Sequence, residues 1–347
     1  MHNNSALPAR VFIETEADAA RFWQIGILWR LMASGIKTGN TLCVLDELVG
    51  GEAGGPVTHA HPAEEGFYVI DGRCKFYAGG KTIDARAGTF VAIPRYTPHA
   101  FLAEPGSRLL NWYLPAGFEL LLLGLALPAE RNEAPPPPPP GGLKLPPRRL
   151  VEKLSEDYGQ IPIMGLPFAD PPDPEKMKTE PLVGAAALPF SSDFDTAPAY
   201  WSAGALWTVL ADGTSTGGMY SLFEELCPAG LTAPPHVHSW SDEAFYVLEG
   251  EVEFVAGGLR QTAGEGSFVF IPRGTVHSFK VRSVSARFLN LYTEPGIERL
   301  LVLGGEKTDR RTLPPAGWTP PGISASRQQQ LFAEIGMHPV ALPNPFA

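Results

Sequence analysis

The chain has 347 residues, a length that suggests about two domains and permits two sizeable cores. Hydrophobic residues make up 44% and charged residues 18%, a globular composition, and a formal net charge of −10 without basic clusters argues against nucleic acid and anionic membrane surfaces as partners. The longest apolar run, Leu120 to Leu127, is broken by Gly124 and falls short of the about 20 residues of a bilayer span, Met1 to Asn4 open no secretory leader, and Cys43, Cys74 and Cys227 stand at no ligand spacing, so no membrane partner and a cytoplasmic setting are expected.

In chain order, Gly39 to Leu48 reads as a strand, followed by Phe67 to Ile70, Arg73 to Tyr77 and Thr89 to Ile93, separated by Asp71-Gly72, Gly79-Gly80 and Ala87-Gly88. A short helix is predicted over Glu119 to Leu127. Pro135 to Pro140, then Gly141-Gly142, reads as an extended polyproline spacer. Leu150 to Tyr158 reads as a helix, and Pro167 to Pro174 is a second proline-rich stretch. The same order then recurs, with strands at Gly217 to Leu226, Phe245 to Leu248, Glu251 to Val255 and Ser267 to Ile271, and helices at Glu298 to Leu303 and Arg327 to Ile335.

The recurrence is a duplication. Trp23 and Trp201, Trp29 and Trp207, Gly35 and Gly213, Glu47 and Glu225, Pro94 and Pro272, and His99 and His277 all share one offset. The tails match too, Leu154…Tyr158-Gly159 against Leu331…Ile335-Gly336. A repeat this long is a duplicated domain rather than a solenoid. Short strands at regular spacing with glycine turns predict an all-β sandwich or barrel. The expected division is 1–134 for the first barrel, 135–180 for a proline-rich linker with a short helix, and 181–347 for the second barrel with a terminal helix.

Six of the eight histidines fall into two copies of one constellation: His59, His61, Glu65 and His99, then His236, His238, Glu243 and His277. His2 and His338 stand outside it. Residues i and i+2 of a strand point to one face, about 7 Å apart, so two imidazoles can converge on one ion. A turn lets the glutamate come in from the neighbouring strand, and the third histidine follows a Pro-x-x-x-x-His turn. Three neutral imidazoles and a carboxylate suit one divalent transition metal per barrel, iron, copper, manganese, nickel or cobalt, with open positions for substrate or dioxygen. Strand alternation places Phe67, Val69 and Phe101, and Phe245, Val247 and Phe279, on the ligand side without Arg or Lys. Such a lining suits a flat aromatic substrate, whereas a dianion such as oxalate would want a cationic or strongly donating partner.

These residues resemble the two cupin motifs, G-x5-H-x-H-x3,4-E-x6-G and G-x5-P-x-G-x2-H-x3-N. The second copy supplies Gly230, His236, His238, Glu243, Gly250, Gly266, Pro272, Gly274 and His277, with Val281 in place of the final Asn. The first departs at Ala53, Tyr96 and Ala103, and Glu64 competes with Glu65, which is in register with Glu243. The resemblance implies a bicupin, two small antiparallel jelly-roll barrels in tandem with short helices after each. The segments ending at Glu47 and Glu225 resemble bicupin quercetin 2,3-dioxygenases. That resemblance implies ring cleavage of a flavonol-like or other aromatic enol or phenol by dioxygen, with Glu65 and Glu243 acting as both ligand and base. An oxalate-type decarboxylase or oxidase and a non-catalytic binding bicupin remain the alternatives, and a homodimer stays open. Because Tyr cannot take φ > 0 as cheaply as Gly, the turn at Tyr96 is expected either to differ in shape from that at Gly274 or to put its ring near the mouth of the barrel.

Overall fold

The structure is a computed structural model and describes residues 9–51, 56–136, 146–163 and 188–346. Met1 to Asn4, Ala53, Pro137 to Pro140 and Pro167 to Pro174 lie outside the described residues. Among those described, one compact unit takes in residues 17–192 and a second takes in residues 9–16 and those from 193 onward.

In each unit an eight-stranded antiparallel sheet faces a five-stranded one, the tandem-barrel, all-β class expected from the repeat. In the first unit the larger sheet is built around Cys43–Val49, Arg108–Leu114, Glu64–Asp71 and Thr89–Ile93, and the smaller around His59–Ala60, His99–Ala103, Arg73–Ala78 and Lys81–Arg86. Their counterparts in the second unit are Ser221–Pro228, Ser285–Tyr292, Glu243–Glu249 and Phe268–Ile271, facing Thr232–His238, His277–Val281, Val252–Ala256 and Leu259–Ala263. Strand alternation fills the interior. Cys43, Leu45 and Val49 meet Phe67, Val69, Phe76 and Phe101 in one buried cluster. The Phe67 ring lies 4.9 Å from Phe76 and 5.3 Å from Phe101, and truncating such a ring to alanine costs about 3–5 kcal/mol.

The expected domain boundaries do not coincide with these units. The helix assigned to a linker, Arg148–Asp157, inserts Val151 into the first unit's core, with Leu154 packed against it. Its apolar stripe requires a core, and the helix Glu119–Leu125 supplies one through Leu121 and Leu122. The strand Phe12–Glu14 pairs with Phe268–Ile271 of the second unit, with Phe12 opposite Phe270, although it precedes the first barrel in sequence. The helices Glu298–Gly304 and Ala325–Glu334 close the second unit in the same manner, with Leu301 and Leu331 in one cluster.

The repeated Gly35 and Gly213 acquire a reason. Each donates its N–H to the glutamate that opens the first helix after its barrel, Gly35 to the buried Glu119 and Gly213 to the half-buried Glu298, both at 3.1 Å. A Cβ on Gly35 would lie 2.9 Å from Asn40 Oδ1, and one on Gly213 would lie 2.9 Å from Pro295 Cβ.

Candidate metal centres

The five-stranded sheet of each unit carries the histidines. His59 lies opposite His99 in register, and His236 opposite His277. His61 follows the short strand that begins at His59, and His238 ends Thr232–His238. The glutamates arrive differently from the expectation. Glu65 and Glu243 come from the larger, facing sheet rather than from a neighbouring strand, because the strands predicted at Phe67 and Phe245 begin earlier, at Glu64 and Glu243. The site therefore spans the barrel interior. Glu65 Oε2 lies 3.2 Å from His61 Nε2 and 2.9 Å from His99 Nε2. Glu243 Oε2 lies 3.4 Å from His238 Nε2 and 2.8 Å from His277 Nε2.

One donor atom from each of His236, His238, Glu243 and His277 lies within 4.8 Å of all the others, and the same holds for His59, His61 and His99. All eight side chains are buried. Glu64 points elsewhere and takes Arg95 Nε at 2.7 Å, as Asp242 takes Arg273 Nε at 3.0 Å. Each of these pairs ties the residue before the glutamate to the turn before the third histidine.

Second contacts fix the rings. The Nδ1 atoms of His59, His99, His236 and His277 lie 2.8–3.0 Å from the carbonyls of Val57, Thr97, Pro234 and Thr275. An N–H donated there leaves Nε2 as the lone-pair donor facing the centre. In the second cluster Nε2 of His238 and His277 and Oε2 of Glu243 are buried, close, and out of hydrogen-bond alignment with any partner. Donors that face a shared point without bonding one another fit a cation between them.

The electrostatics agree with that donor set. Burial, then His99 and His61, hold His59 well below the usual imidazole range, and burial also lowers His61. Burial and then His277 bring His236 down to about 3. Burial works against the charge on Glu65 and Glu243, yet the neighbouring histidines outweigh it and leave both well below the carboxylate range. Burial also opposes the charge on His277, but Glu243 overcomes it and raises this ring. His59, His61 and His236 are thus held neutral beside an ionised carboxylate, which are the ligating forms, whereas His277 would release its proton on taking a cation.

Two further pairs, which the motifs did not mark as site residues, join each cluster. Asn111 Nδ2 donates to Glu65 Oε1 at 2.9 Å, and Asn290 Nδ2 to Glu243 Oε1 at 3.1 Å. Glu47 and Glu225 are buried carboxyls on the same inner faces, raised well above the ordinary range by burial and by the charges of Glu65 and Glu243. The shared Asn-x-Tyr of Asn111 to Tyr113 and Asn290 to Tyr292 was the available signal, one residue out of the main repeat offset.

The turn at Tyr96 corrects one expectation. Its φ is 59°, against 78° for Gly274, and each residue donates its N–H at 2.7 Å to the carbonyl of the second histidine, His61 or His238. The turn keeps its shape, and Tyr96 accepts the left-handed conformation. Its side chain is 45% exposed.

A narrow cleft, part of it open to solvent, reaches His59, Glu65 and His99 in the first barrel. Phe67, Phe101, Phe118 and Trp29 line it, and no Arg or Lys is among its lining residues. Phe118 covers the histidines, with its ring centroid 4.2 Å from that of His61.

Residues 44–113 and 222–292 each match the family described as Cupin domain. The chain is a bicupin. Over 269 residues it is 23% identical to Quercetin 2,3-dioxygenase of Bacillus subtilis (strain 168), covering 77% of each chain. Among solved structures the bicupin is similar to Bacillus subtilis oxalate decarboxylase with Mn(II) centres, with a TM-score of 0.58 at 15% identity over 83% of this chain and 78% of that one. A second structure of the same enzyme gives a TM-score of 0.57 at 16% identity, with the same coverage. These likenesses are to the fold. Among the described residues no helix is long and apolar enough to cross a membrane.

Proposed function

We propose that this bicupin is a metal-dependent dioxygenase acting on a flavonol-like or other aromatic enol or phenol. The observation that carries the reading is the His59, His61, Glu65, His99 cluster at the end of an aromatic cleft with no cationic side chain in its lining. The sequence likeness to a quercetin dioxygenase supports it. His59, His61, Glu65 and His99, and His236, His238, Glu243 and His277, are the proposed ligands of one divalent transition metal per barrel.

When bound, the metal supplies Lewis acidity that lowers the pKa of a substrate hydroxyl. The chain's residues do the rest. Phe67, Phe101 and Trp29 supply apolar lining for a flat ring, and Phe118 shields the histidines from water. Glu65 is held ionised, and its Oε1 is fixed by Asn111, so Oε2 is placed to take the hydroxyl proton. Glu243 and Asn290 offer the same pair in the second barrel. In the overall reaction dioxygen is the oxidant: both its atoms enter the ester product, two ring carbon–carbon bonds break, and the carbon between them leaves as carbon monoxide.

The test is oxygen uptake with quercetin by metal-loaded protein. Glu65→Gln and Glu243→Gln keep an oxygen ligand and remove the base, so the variant in the active barrel should retain its metal and lose activity about 100-fold or more. Release of carbon dioxide from oxalate, with no oxygen consumed on quercetin, would instead identify an oxalate-type enzyme. Metal binding with neither reaction would identify a binding protein.

A further inference from the structure

Glu47 and Gln160 both line the first barrel's cleft, alongside His59, Glu65 and His99. They are 3% and 5% exposed. Glu47 Oε2 and Gln160 Nε2 have no hydrogen-bond partner. Gln160 is held at its other end, where Ser155 Oγ donates to Oε1 at 2.9 Å, so the amide is oriented and its donor is left over. A buried acceptor and a buried donor left unsatisfied each cost about 1–3 kcal/mol, a cost that a ligand with the complementary groups would offset.

The second barrel shows what the same positions look like when satisfied. Glu225, the counterpart of Glu47, accepts from Asn290 Nδ2 at 2.9 Å through Oε1, and Oε2 takes the Cys227 thiol at 3.9 Å. The first barrel has Val49 where Cys227 stands, so the thiol contact of Glu225 has no counterpart at Glu47. The counterpart of Gln160 is Met337, a thioether packed against that unit's apolar cluster. Phe118, over the first histidine pair, is matched by Ile297. The two clusters share a ligand pattern, while the polar pair and the aromatic cover belong to the first barrel.

We propose that Glu47 and Gln160 form the polar edge of the substrate site in the first barrel, the Glu47 carboxyl hydrogen-bonding a substrate hydroxyl through Oε2 and Gln160 Nε2 donating to a substrate carbonyl. The ligand class is a flat aromatic or enolic ring carrying a hydroxyl next to a keto group. This rests on the dioxygenase reading for its chemistry, and it assigns substrate recognition to the first barrel and to two residues outside both ligand sets.

The experiment uses the full-length, metal-loaded chain with the second cluster removed by His236→Ala and His238→Ala, so that one site titrates. Dissociation constants are measured without oxygen for two probes, quercetin and maltol, a small 3-hydroxy-4-pyranone. Glu47→Leu and Gln160→Met are compared with the parent, and Gln160→Met introduces the residue found at the matching place in the second barrel, so it serves if Glu47→Leu does not fold. Each substitution should weaken maltol binding about tenfold or more while the metal content by elemental analysis stays unchanged. Affinities within twofold of the parent at full metal content would overturn the assignment. If the intact protein consumes no oxygen with quercetin but maltol binding still depends on Glu47 and Gln160, the dioxygenase reading falls and the recognition pair stands. A metal-loaded parent that binds neither probe would overturn both.

Discussion

Asn290 holds Glu243 by a 3.1 Å hydrogen bond from Nδ2 to Oε1, leaving Oε2 to face His238 and His277. The same Nδ2 lies 2.9 Å from Glu225 Oε1 and 3.0 Å from the Tyr292 hydroxyl. One amide thus fixes which oxygen of the glutamate is presented to the histidines. Asn290→Ala should lower metal affinity of the second cluster about 10–100-fold, the usual size of such outer contacts, as measured by competition with a chelator. Asn111→Ala should do the same to the first. An unchanged affinity would show that the glutamate needs no such support.

Two clusters predict two ions. Elemental analysis of protein produced with metal supplementation should give more than one equivalent per chain, and His236→Ala with His238→Ala should remove only the second share. A parent value that stays at one and vanishes in that variant would make the first cluster a relic.

Stripping the metal should lower the melting temperature, since an ion held by the folded chain alone stabilises it by about 4 kcal/mol at a thousandfold excess over Kd. Calorimetry before and after chelation, and after restoring manganese or iron, reads this directly. No change in melting temperature would argue against occupancy of either cluster.

Glu47 and Glu225 sit above the ordinary carboxylate range because they are buried near Glu65 and Glu243. The folded chain therefore keeps protons that the unfolded chain releases above the ordinary glutamate value of 4.5. Folding takes up protons in that window, so these groups contribute stability that is present at low pH and lost as pH rises through their folded values. Glu225→Gln removes the slope. Between about pH 5 and about pH 8, denaturant unfolding should show the parent losing stability relative to this variant. Parallel curves would place the Glu225 pKa near its unfolded value.

Tyr96 occupies a left-handed conformation that Gly274 adopts without strain. Tyr96→Gly should raise stability by roughly 0.5–1 kcal/mol, and Gly274→Tyr should lower it by roughly 1–3 kcal/mol. Chemical denaturation checks both. Destabilisation by Tyr96→Gly would mean that the half-exposed ring makes packing worth more than its strain.

The histidines were legible because their information is local. His59 and His61, like His236 and His238, need only an extended chain to share a face, and the duplication repeated the signal. Glu65 was legible through its register with Glu243, although its position in the facing sheet was not, since the short strand predicted at Phe67 left it in a turn. The helix Arg148–Asp157 is legible from its pattern but its place is not, because an apolar stripe does not say which core will take it.

The duplication, the all-β class and the two histidine sets follow from repeat spacing and two-residue periodicity alone. The folded barrel is what brings Asn111 to Glu65, holds Tyr96 in a glycine's turn, and sets Glu47 and Gln160, more than a hundred positions apart in the chain, on one cleft. Such meetings depend on long-range strand register, Glu65 opposite Tyr113 and Leu109 opposite Glu47, and on the helix Arg148–Asp157 packing Val151 into the same core. Local spacing carries no record of those pairings, because burial across the whole barrel selects them.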